Sequence, residues 1–224
     1  MIPEMITSGQ KKQLLRFFKK GLSKFLRTLR DRNLVQNDFA KSLQKHSIVD
    51  KRFGKDLLQG KGTFTVPPDY NHDTQVDTFG VKTRKFKSTY HYNDRLISEN
   101  FAKTTNKFVP GKTYAIKMFP ILEKVRSKVC LNRLKAEPGN VLVGAQGITL
   151  LREYQPDLFP VGKELVSLDE KKTLLKDTNG NHRVPLVNRH SGGICQFHFG
   201  NFESCWIPGN VLLCFCELDE SSDA

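Results

Sequence analysis

Long apolar runs are missing from this chain. The longest, Val211 to Cys216, has six residues, whereas a helix that crosses a bilayer needs about 20. No transmembrane segment is expected. The first ten residues lack the positive stretch followed by an apolar core that marks a secretory signal, so a cytoplasmic protein is expected. Internal repeats, heptad arrays and low-complexity tracts are absent. So are the serine-hydrolase elbow, the HExxH metalloprotease signature, the EF-hand loop and the dinucleotide fingerprint. No catalytic residue is therefore assigned, and no cofactor is expected.

Cysteine is scarce and odd in number. Four of the five, Cys195, Cys205, Cys214 and Cys216, fall in the last thirty residues, inside apolar sequence. In a reducing compartment they read as small buried hydrophobes. A zinc site assembled from them and His198 would need four ligands converging on one point. Cys195 and His198 are an odd number of residues apart on an expected strand, so they face opposite sides of it, and only Cys214 and Cys216 share a face. No Cys-x-x-Cys pair is present, and no metal is expected. Gly111-Lys112-Thr113 has the residue types of a phosphate-cradling loop. However, Asn106 stands at the first glycine position, Pro110 precedes Gly111, and an alternating strand follows where a helix is required.

What the sequence does carry is charge, unevenly placed. The net charge over 224 residues is +13. Residues 1 to 60 hold 14 Lys+Arg against 5 Asp+Glu, residues 61 to 136 hold 15 against 6, and residues 137 to 224 hold 7 against 12. The first 136 residues thus carry +18 and the rest −5. This asymmetry predicts a polyanion as partner, with DNA or RNA foremost. The competing reading is an ordinary basic surface that keeps the protein in solution. The composition, 38% hydrophobic with sixteen Phe, is enough for a normal core.

The pattern predicts an α+β protein in three regions: a basic helical region over 1–60, a basic mixed α/β region over 61–136, and an acidic antiparallel β-rich module over 137–224. From Gln10 to Arg32, Leu14, Phe18, Leu22, Phe25 and Leu29 recur at helical spacing with Lys and Arg elsewhere. Such a helix packs on its own domain, lies on an anionic membrane, or docks in a partner's groove. A shorter helix is expected over 37–45. Gln44 and Lys45 stand where a helix-turn-helix needs its turn glycine and next apolar residue, which argues against that motif.

Lys82 to Tyr92 reads as a strand with interleaved basic and aromatic residues. Phosphate contacts are accordingly assigned to Lys19, Lys20, Lys24, Arg27, Arg84, Lys85 and Lys87, and base stacking to Phe86, Tyr90 and Tyr92. A helix is expected over 94–103 and a strand over 113–119, and Ser127 is expected to cap a helix that stops near Pro138-Gly139. Val141 to Val143 reads as a short strand running into Gly144-Ala145-Gln146-Gly147. Asn179-Gly180 predicts a hairpin between strands over 173–177 and 182–187. Further strands are expected over 194–199 and 211–218, the last of them central because both its faces are apolar.

The acidic module is assigned a protein partner or a supporting role. An alternative is a metal-independent nuclease or toxin-like effector in which His182 and His198 serve as acid and base.

Overall fold

Residues 50–84, 90–91, 98–101 and 103–218 are described by the structure, a computed structural model, and they belong to one unit beginning at Asp50. The helices expected over 10–32 and 37–45 lie outside the described residues. In chain order the elements are β1 (Gly62–Thr65), α1 (Gln75–Arg84), β2 (Tyr90–His91), α2 (Ser98–Phe101), β3 (Thr113–Pro120), β4 (Val125–Arg126), α3 (Ser127–Lys135), β5 (Asn140–Val141), α4 (Gly144–Tyr154), β6 (Glu164–Val166), β7 (Leu175–Lys176), β8 (His182–Arg189), β9 (Cys195–Asn201), β10 (Cys205–Trp206) and β11 (Asn210–Glu217). The described residues are α+β and mostly sheet.

Nine strands form one sheet in the order β1-β3-β11-β6-β8-β9-β2, with β5 beside β11 and β7 beside β8. The central place expected for 211–218 is realised: β11 pairs with β3 along one edge and with β6 and then β5 along the other, and all its residues from Asn210 to Cys216 are buried. The hairpin expected at Asn179-Gly180 forms between β7 and β8. Gly180 has φ +78° at its tip, and Asp177 accepts from the N–H groups of Asn179 and Asn181.

Alternation along the strands divides the core in two. On the first face, Tyr114, Ile116, Met118, Leu213, Phe215, Val187 and Phe197 meet Val76 and Phe79 of α1 and Ile148, Leu150 and Leu151 of α4. On the second, Phe119, Leu212, Cys214, Cys216, Val166, Val184 and Leu186 meet Cys130, Leu131 and Leu134 of α3, together with Trp206.

Two expectations need correction. Lys82 to Arg84 are the end of α1, not a strand. The chain enters this helix through Asn71, whose Oδ1 accepts from the N–H groups of Asp73 and Thr74, a local turn that sets the helical path. Among the described residues of that stretch, Tyr90–His91 is extended.

Secondly, the sheet is mixed, because β6 pairs with β11 in parallel, as does β2 with β9. The sheet runs across the charge boundary at 136/137. β3 of the basic stretch and β11 of the acidic stretch pair over seven register positions, since apolar strands seek each other whatever charge their flanks carry.

Gly144-Ala145-Gln146-Gly147, into which the short strand was expected to run, opens a helix. Residues 144 to 151 are all buried, so α4 shows no polar stripe to reveal it. Gly147 permits its close approach to the sheet, because a Cβ there would sit 2.7 Å from Phe215.

Candidate functional site

Of the residues assigned to nucleic acid, Lys19, Lys20, Lys24, Arg27, Lys85, Phe86, Lys87 and Tyr92 lie outside the described residues. Arg84 is the last residue of α1, and Tyr90 is in β2, opposite Cys195 of β9.

Among the described residues, cations gather along one margin of the sheet. The segment 50–58 follows the end of β3: Gly54 N–H donates to Pro120 O (2.8 Å), Leu57 N–H to Met118 O (2.9 Å), and Leu122 N–H to Arg52 O (2.8 Å). This brings Lys51, Lys55 and Lys61 alongside β3, and Lys124, Arg126 and Lys128 follow β3 in the chain, around β4 and at the start of α3. All six are exposed, and none joins an ion pair among the described residues.

The carboxylates nearby serve local structure. Asp50 holds Arg52 at 2.7 Å, and Asp56 accepts from the N–H groups of Leu58, Gly60 and Met118. α3 starts in this margin with no acidic residue in its first turn, so the positive end of its dipole adds to the field. Lysines spread over two distant stretches carry no local motif, and the sequence alone could not bring them together.

The two histidines are not brought together. His198 stands opposite Leu186, and His182 is four residues further along β8, about 13 Å away at 3.3 Å per residue. Each has its own glutamate: His182 Nδ1 is 3.0 Å from Glu203 Oε1, and His198 Nε2 is 3.3 Å from Glu164 Oε1. An acid–base pair of imidazoles working on one bond is not formed.

His198 instead borders a row that the sequence did not reveal. Asn210, Glu164, Asn188 and Gln196 are successive register partners across β11, β6, β8 and β9 on the second face. Asn210 Nδ2 donates to Glu164 Oε2 at 2.7 Å, and Asn188 Oδ1 is buried with no partner.

At the opposite end of the second face lies an open cleft of about 360 Å³, lined by Thr105, Asn106, Lys135, Glu137, Gly139, Asn140, Leu142 and Glu170. Behind it, Glu137 receives Lys117 Nζ at 2.8 Å on one oxygen and Arg133 on the other. Burial alone would raise the Glu137 carboxyl, but these two cations outweigh it and hold the group below the ordinary carboxylate range. Asp169, beside the cleft, goes the other way. It is 2% exposed, and burial raises its carboxyl despite hydrogen bonds from Thr105 and the Glu170 N–H.

Cys214 and Cys216 share a face, as their parity predicted, and lie beside this charged group with sulfurs 3.6 Å apart. Among the described residues, no three His, Cys, Asp or Glu side chains converge as a metal site, and no helix is long and apolar enough to cross a membrane. No family model, curated protein or solved structure matches the chain.

Proposed function

We propose that the chain is a nucleic-acid-binding protein that grips phosphates mainly through charge. The observation that carries this reading is the segregation of +18 into the first 136 residues against −5 in the remainder. The margin of Lys51, Lys55, Lys61, Lys124, Arg126 and Lys128 supports it, because these cations are exposed and Asp50 and Asp56 beside the first three are already engaged. Lys19, Lys20, Lys24, Arg27, Arg84, Lys85 and Lys87 extend the phosphate contacts in this proposal, and Phe86, Tyr90 and Tyr92 supply stacking. Residues 137–224 support the fold and offer a face to a protein partner.

Retardation of labelled DNA and RNA by the full chain tests the proposal. Binding should be evident at low salt, vary little with sequence, and weaken so that log affinity falls linearly with log salt. Failure to retard either polymer at low salt, or affinity indifferent to salt, would overturn it. Preference for anionic vesicles over both polymers would assign the same charge to a membrane surface instead.

A further inference from the structure

The pair Cys214 and Cys216 sits in the middle of the sheet, 1% and 3% exposed, on the side of β11 that faces α3. Residues i and i+2 of an extended strand share a face, which puts these two thiols side by side. Their sulfurs are 3.6 Å apart.

Three polar side chains surround them. Lys117 is the register partner of Cys214 on β3. Glu137 binds both Lys117 and Arg133. The Asn140 amide donates to Cys214 Sγ at 3.0 Å, and Asn140 also lines the open cleft. One amide side chain therefore stands between the sulfurs and the cleft.

We propose that Cys214 and Cys216 form a two-coordinate site for a soft monovalent cation, copper(I), reached from the cleft by movement of Asn140. Softness follows from the ligands, since thiolate sulfur selects copper(I) over hard cations. The coordination number follows from the surroundings: zinc wants four ligands, and no third His, Cys, Asp or Glu converges here among the described residues.

Charge favours a monovalent ion. Lys117 and Arg133 against Glu137 leave one positive charge beside the thiols. Two thiolates and one copper(I) make a complex of charge −1, which cancels it, whereas a divalent ion would leave the positive charge uncompensated.

The exchange balances without redox change. Copper(I) arrives as a complex of two small-molecule thiolates, two S–H bonds of the protein break, two S–Cu bonds form, and the departing carrier thiolates take up the two protons. A disulfide suits the position less well. Residues i and i+2 of a strand have Cα atoms about 6.6 Å apart, at the outer limit of what a disulfide spans.

Anaerobic titration of the full chain with copper(I), in competition with the chromophoric chelator bicinchoninate, tests the site. One equivalent should be withheld from the chelator. Cys214→Ala and Cys216→Ala should each abolish this, and Cys195→Ala and Cys205→Ala should leave it unchanged. Lys117→Met should weaken binding on the order of tenfold and Glu137→Gln should tighten it, as expected for residues that act on the ligands through charge. Both variants break the same ion pair, so damage to the fold would move them in one direction, and only a charge effect separates them. That contrast keeps the test valid even where a cysteine variant fails to fold. A wild-type chain that withholds no more copper than the Cys214→Ala/Cys216→Ala double variant would overturn the proposal, as would shifts of the same sign for Lys117→Met and Glu137→Gln.

Discussion

The two faces of the central sheet differ in kind. On the first, aromatic rings touch one another: Phe108 lies 4.9 Å from Tyr114 and 5.0 Å from Phe215 between ring centroids, and Phe79 lies 5.4 Å from Phe197. α1 and α4 close over them; Thr149 donates to the Ala145 carbonyl and the Gln146 amide to that of Phe101, while Gln146 Oε1 is buried without a hydrogen-bond partner. On the second, the filling is aliphatic and sulfurous. The Trp206 indole donates to Ser127 Oγ at 2.8 Å, and Arg133 lies over the Phe119 ring at 4.1 Å. The thiol pair, the Lys117–Glu137–Arg133 group, the cleft and the Asn210–Glu164–Asn188–Gln196 row all belong to this side. A sheet buried on both faces can give one of them wholly to stability, leaving the other to place polar groups beside strands too well packed to shift.

The comparison breaks most readily at Phe108, which also reaches Tyr70 and Phe64. Phe108→Ala should cost about 3–5 kcal/mol, as a large ring removed from a close-packed core does, measured as a fall in the urea midpoint at unchanged slope. A loss below about 1 kcal/mol would mean that the first face is not the tightly packed one.

A smaller effect, and one with a sign, is expected on the second face. Glu137→Gln removes the carboxylate shared by Lys117 and Arg133 and should cost about 1.5–3 kcal/mol at neutral pH, the range for hydrogen bonds to charged groups. Because the folded carboxyl is held below its unfolded value, its contribution is complete above the unfolded value of about 4.3. It is lost as pH falls through the folded value. The gap between wild type and variant should therefore be constant from neutral pH down to about pH 5 and close below it. A gap that widens in acid would contradict the assignment of Glu137 as the ionised member of the group.

How much of this was legible depended on whether the signal was local. β3, β8, β9 and β11 announce themselves by alternation or apolar runs, and the β7–β8 hairpin by Asn179-Gly180. α4 did not, because a helix buried on every side has no period to read. Parity placed Cys214 and Cys216 on one face. Their proximity to Lys117, Glu137 and Asn140, however, depends on pairings of β11 with β3 and β5 that span about 75 to 97 residues of chain. The separation of His182 from His198 likewise needed the register of β8 with β9, since both are even-numbered and share a face.

The smallest effect on stability should come from the cations that border the second face. Lys124 immediately precedes β4, Arg126 is in it and Lys128 lies at the start of α3, yet their side chains are exposed. Replacing all three by Ala removes no ion pair found among the described residues, so each change should alter stability by no more than about 0.5 kcal/mol. Their effect on binding should be larger. If each neutralises one phosphate of a duplex, the slope of log affinity against log salt should become shallower by about 2.7, at 0.9 per contact. The loss should be uniform across DNA sequences, because phosphate contacts position the protein without reading bases. A triple variant with unchanged salt slope and unchanged affinity would remove this margin from the interface and leave binding to residues 1–49 and to the stretch around Arg84–Tyr92. A variant that binds normally but unfolds would show instead that these cations belong to the packing of the second face, and that the division between its interior and its charged border is drawn in the wrong place.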